Sequence, residues 1–178
     1  YLEESKYSYL PDTLNSFFNN SDSKCKPDGK SNITVNTSCY VRLGTNINNS
    51  FINCIANVIG KDTKSLIDSI LNNITFEIFN SLNEGAINII FDNKNSYKSS
   101  FQQFCEFIIS NDHKPHELLI DILSKIEIID KDLNIFIIDC TDDSKPSLLC
   151  PSGYNINDKN TSCILIKQND KYDNVIHI

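Results

Sequence analysis

Apolar residues recur at helical spacing through the first two thirds of the chain, then gather into short runs separated by turn clusters in the last third. Phe51, Ile55, Val58 and Ile59 fall at i, i+4, i+7 and i+8, which predicts a helix beginning one residue after Ser50. Ser50 then stands where an N-cap hydroxyl accepts a bond from a first-turn amide. A second helix is predicted from about Thr63 to Asn73, with Leu66, Ile67, Ile70 and Leu71 on one face. "FEIFNSLN" extends it after a break, and "AINIIF" alternates like a strand or a buried connection. "YKSSFQQFCEFIIS" predicts a helix with Phe101, Phe104, Cys105 and Ile108 in register. In "PHELLIDILSKI", Pro115 suits a helix start and Leu118, Leu119, Ile122, Leu123 and Ile126 form the apolar face.

The period then changes. "LNIFIID", "SLLC" and "SCILIKQ" are short apolar runs between turn residues, and "YDNVIHI" alternates, so strands are expected. "CYVRLG", from Cys39, could be a short strand or an extended lead-in. Helices first and a mostly consecutive set of strands last predict an α+β domain over residues 39–178, its helices packed on a small mixed sheet. Residues 1–38 form an arm. It holds "YSYLPDTLNSFF" and then a polar stretch with turn chemistry at Pro27-Asp28-Gly29. Tyr7, Tyr9, Leu10, Leu14, Phe17 and Phe18 are too many apolar side chains to leave in water, so the arm is expected to dock on the body.

At 178 residues, 40% of them apolar, the chain can bury a real core. No run approaches the roughly 18 apolar residues of a membrane span, so membrane insertion is not expected. The net charge of -7 and the scattered lysines argue against nucleic-acid binding. A chain without methionine that begins at Tyr1 is expected to be a fragment or a processed piece. Its wealth of Asn, Ile and Lys fits an AT-rich genome, which lowers the weight of any Asn-based motif.

Cys25, Cys39, Cys54, Cys105, Cys140, Cys150 and Cys163 lie far apart with no CxxC pair, so neither a zinc site nor a thioredoxin-type motif is expected. Several sit inside apolar segments. They read as small buried thiols of a protein in a reducing, intracellular compartment; a secreted, disulfide-bonded surface domain is the alternative. Sequons at Asn19, Asn32, Asn36, Asn48, Asn73 and Asn160 lean toward the alternative, but about four are expected by chance in so Asn-rich a chain.

Chemistry-bearing motifs are few. His113 and His116 are three apart across Pro115, with no second ligand cluster, so no metal is expected. His177 lies in the final strand and is expected to be structural or exposed. Asp142 and Asp143 fall in a turn and look solvated. No Gly-rich phosphate loop, GxSxG elbow or HExxH is present, and no cofactor is implied.

Two stretches carry a resemblance. "INNSFINCI", residues 47–55, resembles the D-G-N-C-L-F-R-A-I motif of the ovarian tumour (OTU) family of cysteine proteases and deubiquitinases, with Asn49 and Ile55 in common. "KYDNV", residues 171–175, resembles that family's H-Y-D/N, keeping Tyr172 and Asp173. "ELLIDILSKIEIIDKDLNIFIID" is similar to the family's helix and central strand. The resemblance implies an OTU-like architecture of the papain-like superfamily over residues 39–178. The departures fall on the reacting groups: Ser50 stands at the nucleophile, Ile47 at the acid and Lys171 at the base. A serine with no base is inert at neutral pH. Lys171 could act only if burial lowered its pKa by several units, and an exposed turn beside Asp170 and Asp173 would push the other way. The expectation is a pseudoenzyme that binds a protein, either a viral assembly component or a ubiquitin-like protein. The alternative is an active cysteine hydrolase with Cys54 as displaced nucleophile and His177 as base. "YSYLPDTLNSFF", "CYVRLG" and "NNSFINCIA" are further similar to a segment of very large structural or virion-associated proteins of nucleocytoplasmic large DNA viruses, which implies a module of a longer viral protein, located in host cytoplasm or virion.

Overall fold

In a computed structural model the described residues are 2–18, 20, 23–25, 33, 38–46, 48–91, 97–110, 112–142, 144–149 and 156–178. They form an α+β fold in which helices pack on a six-stranded open sheet. The strands are β1 (Tyr7–Tyr9), β2 (Tyr40–Leu43), β3 (Leu133–Asp139), β4 (Ser147–Leu149), β5 (Thr161–Gln168) and β6 (Lys171–His177). Their spatial order is β1-β2-β6-β5-β3-β4. Only β3 and β5 pair in parallel, so the sheet is mixed. β5 and β6 form a hairpin closed at Asn169-Asp170, where Asn169 adopts a φ of 54°, a left-handed conformation that asparagine tolerates.

The helices are α1 (Asp12–Asn15), α2 (Ser50–Ile59), α3 (Thr63–Asn73), α4 (Phe76–Ser81), α5 (Ile87–Ile90), α6 (Tyr97–Ile109), α7 (His116–Leu123) and α8 (Ile126–Ile129). Local chemistry sets their ends. Gly60 closes α2 in a left-handed conformation (φ 73°), and the following amide, of Lys61, bonds back to Ala56. Asp62 caps α3 by accepting from the Ser65 amide at 2.9 Å, and Thr75 caps α4 by accepting from Ile78 at 3.2 Å.

Strand alternation sends side chains into a main cluster on one face of the sheet and a smaller one on the other, with a third small cluster of Cys25, Cys39 and Val41. Leu133, Ile135, Ile137, Cys163, Leu165 and Tyr172 face the helices and bury Phe51, Ile55, Leu66, Ile70, Phe79, Phe104, Ile108 and Leu119 against them. Ile138, Ile164, Ile166 and Val175 point the other way, into a smaller cluster with Leu10, Leu14, Phe18 and Tyr40. Leu10 and Leu14 of the N-terminal segment therefore cover the second face of the sheet, while Phe17 remains 73% exposed.

Some expectations need correction. "AINIIF" is not extended: Asn83, Glu84 and Gly85 all take positive φ (50°, 57° and 88°), reversing the chain into the helical turn α5. Ile87 is buried and Phe91 packs beside it at i+4, leaving Ile89 and Ile90 exposed. "PHELLIDILSKI" starts at Pro115 but stops at Ser124; Ile126 is 46% exposed and opens a separate turn whose Ile128 and Ile129 are buried. Cys25 and Cys39 are not thiols. Their Cα atoms lie 5.5 Å apart and they form a disulfide. Closing this short loop stabilises the fold by about 3 kcal/mol on the chain-entropy account. Cys54, Cys105, Cys140 and Cys163 are thiols. Cys150, the Pro27-Asp28-Gly29 turn, Ile47, Asp143 and the sequons at Asn19, Asn32 and Asn36 lie outside the described residues. No helix among the described residues is long and apolar enough to cross a membrane.

Candidate functional site

The amino end of α2 meets the first residues of β6, bringing Ser50 beside the strand that carries Lys171, Tyr172 and Asp173. β2 stops pairing with β6 at the Leu43–Asn174 position. Tyr172 lies beyond that point, so its backbone groups on the β2 side lack a ladder partner and must find one elsewhere. Two hydroxyls serve: the Ser50 Oγ accepts from the Tyr172 amide at 3.1 Å, and the Thr45 Oγ1 donates to the Tyr172 carbonyl at 2.7 Å. Ser50 is therefore not the N-cap. Asn49 holds that position with a left-handed φ of 59° and makes no side-chain cap bond, and Ser50, 2% exposed, is the first helical residue.

Asn49 is held by a residue that sequence reasoning passed over. Lys114, 1% exposed, donates to the Asn49 Oδ1 (3.1 Å) and to the Ser110 and Asp112 carbonyls (2.5 and 3.1 Å). Burial pushes its ammonium below the usual lysine range, against the opposing charge of Asp112. The clamp ties the end of α6 to the turn before Ser50, and nothing in "NDHKPHE" marks Lys114 as buried.

Lys171 and Asp173 share the face opposite Tyr172. Lys171 is 7% exposed, not in an exposed turn, and its Nζ donates to the Leu2 carbonyl and lies 3.7 Å from the Asp173 Oδ1. Arg42 Nη2 sits 2.5 Å from the Asp173 Oδ2 and 2.9 Å from the Gln168 Oε1. Asp173, 2% exposed, leaves its Oδ1 without a hydrogen-bond partner. So the positions aligned with nucleophile and base do come into one neighbourhood, but the hydroxyl bonds a backbone amide and the ammonium turns to a backbone carbonyl.

The other proposed pair is separated by the sheet. Cys54 is wholly buried among the helix-side residues, its Sγ 3.9 Å from the Thr45 Oγ1, and desolvation with the nearby Cys163 pushes its thiol well up. His177 is exposed, shares the far face with Val175, sets its ring at a tilt of 58° against Tyr40 (4.9 Å between centroids) and lies 3.3 Å from the Ser38 Oγ. A thiolate at Cys54 is disfavoured, and its intended base is across the strand.

His116 and Tyr172 form a pair that spacing alone did not reveal. The His116 Nδ1 lies 2.8 Å from the Tyr172 hydroxyl, which also receives the His116 amide at 3.5 Å. Burial lowers the His116 pKa, although Glu117 stands 3.2 Å away; Glu117 is largely exposed and its carboxylate is screened. The Tyr172 phenol is pushed up by burial. At the same end of the sheet Asp139 loses hydration, but hydrogen bonds from Lys167 (2.8 Å) and the Thr141 amide hold it at about 2. His113 is exposed, and no group of three or more His, Cys, Asp or Glu among the described residues could hold a metal ion.

No protein-family model, curated protein or solved structure matches the chain.

Proposed function

We propose that the domain is an OTU-like module without acyl-transfer chemistry, acting by protein binding as a component of a larger viral protein and recognising a ubiquitin-like partner. The observation that carries this reading is the engagement of both reacting positions. Ser50 is buried and spends its lone pair on the Tyr172 amide, and the Lys171 ammonium is committed to the Leu2 carbonyl beside Asp173. A nucleophile needs an accessible oxygen and a base in hydrogen-bond reach, and here the Lys171 side chain bonds the Leu2 carbonyl instead of the Ser50 hydroxyl. The experiment has two readouts. An activity-based ubiquitin probe forms no adduct with the chain, while titration of the isotope-labelled protein with ubiquitin shifts a contiguous set of amide resonances. Adduct formation that disappears on changing one cysteine, or no shifts with any ubiquitin-like protein offered, overturns the reading.

The Cys25–Cys39 bond favours a second reading, a secreted surface domain, because disulfides persist in oxidising compartments. Intact mass of protein isolated without added oxidant tests it. A gain of about 2 Da on reduction keeps that reading, and an unchanged mass removes it.

A further inference from the structure

The N-terminal residues are bound to the body as a ligand would be. Ser5 donates its amide to the Gly44 carbonyl at 2.9 Å and Gly44 donates to the Lys6 carbonyl at 2.9 Å, beside the start of the β1–β2 ladder, while the Lys6 amide donates to the Glu3 carbonyl at 3.2 Å and closes a turn at Glu4-Ser5. The approach is so close that a β-carbon on Gly44 would stand 2.1 Å from the Glu3 carbonyl oxygen and 2.8 Å from the Leu2 Cγ. Gly44 is outside the left-handed region, so space and not conformation requires glycine here. The Leu2 carbonyl receives the buried Lys171 ammonium, and next to it the Asp173 Oδ1, also buried, has no hydrogen-bond partner. Asn46 adds a side-chain bond to Glu4 at 3.3 Å.

Nearly all of these contacts are to main-chain atoms, so they read the backbone of a segment that turns at Glu4-Ser5 and little of its sequence. One residue in the segment is held against its preference: Ser5 adopts a φ of 61°. A strained residue amid sequence-independent contacts describes a strap that can be exchanged. We propose that Gly44, Lys171 and Asp173, the last held by Arg42, line a groove for a turned stretch of peptide backbone, and that residues 2–6 occupy it in cis and close it. A partner's turn-forming segment binds by displacing the strap, pairing its backbone with Gly44 and presenting a carbonyl to Lys171 and an amide to Asp173. This deepens the binding reading above by naming the site, the ligand chemistry and its regulation, and it is tested on the chain alone, without a ubiquitin-like protein.

Ser5→Pro in the full chain removes the amide bonded to Gly44 and forbids the positive φ, so it lifts the strap while leaving the groove intact. Acetylation by an N-hydroxysuccinimide ester, followed by peptide mass spectrometry, reads access to Lys171. The expected result is labelling about tenfold faster in Ser5→Pro than in the native chain, with buried Lys114 unchanged as the sign of an intact body. A synthetic peptide of residues 2–9 restores protection, and adding Gly44→Ala to Ser5→Pro abolishes that rescue. Ser5→Gly, which relieves the strain, keeps native protection. Lys171 equally protected in native and Ser5→Pro chains overturns the strap. Should the single Ser5→Pro variant also expose Lys114, Gly44→Ala alone carries the test: Lys171 exposed supports the strap, Lys171 protected overturns it. Exposure that the peptide cannot reverse overturns the groove.

Discussion

Ser50→Ala separates an architectural hydroxyl from a reactive one. The substitution removes the acceptor of the Tyr172 amide at a position 2% exposed, where water cannot take its place. Leaving a buried donor unsatisfied costs about 1–3 kcal/mol, while the methyl left in place of the hydroxymethyl fits the same space. For a domain of this size each kcal/mol lowers Tm by about 2–4 °C, so the drop is about 2–12 °C. Urea denaturation followed by circular dichroism should show the midpoint falling with the slope m unchanged, because the surface exposed on unfolding stays the same. Hydrogen exchange adds a local readout, with the Tyr172 amide losing protection while neighbouring strand amides keep theirs. Ser50→Thr keeps the acceptor and serves as the control. A Ser50→Ala protein within about 0.5 kcal/mol of the native stability, with Tyr172 still protected, would refute the reasoning that this oxygen completes the sheet.

Two further outcomes follow from the buried titratable groups. His116 has a folded pKa depressed below its ordinary value, so its neutral form contributes stability that is fully present above about pH 6.5 and is lost as pH falls toward the folded value; the groups facing it are Tyr172, Glu117, Asp139 and Lys167. His116→Asn, which keeps an acceptor near the Nδ1 position, should flatten the slope of stability against pH below 6.5, and an identical slope in both proteins rejects the assignment. Burial raises the thiols of Cys54 and of Cys163, the latter to about 12, so iodoacetamide at neutral pH should modify neither in the native protein and both after unfolding in denaturant. Rapid native labelling of Cys54 would restore the displaced-nucleophile reading.

Legibility varied with the kind of force that fixes each part. The α3 boundaries were readable because Asp62 supplies a local cap and Leu66 and Ile70 a helical stripe. β3, β5 and β6 were readable because turn residues bracket their runs. "AINIIF" misled because its alternation is accidental, and the consecutive left-handed residues before it obey no simple period. At the site, Ser50 lies beside "KYDNV" through its bond to the Tyr172 amide, and no local pattern foretold that use of its hydroxyl. Which oxygen serves the Tyr172 amide depends on β2 ending at Leu43, a fact of long-range register. The roles of Gly44 and Lys114 were invisible for the same reason, since Gly44 is hemmed in by Leu2 and Glu3 and Lys114 reaches Asn49, all tens of residues away in sequence.

The hydroxyl pair at Tyr172 also limits what position 50 can become. Sulfur is a weak acceptor, so a thiol at position 50 would leave the strand amide poorly served where a thiolate would need to be exposed and mobile. Catalysis and sheet closure make opposite demands on a single atom. The Ser50 oxygen acts as a rivet, and a reactive group in its place would first require a new partner for the β6 backbone.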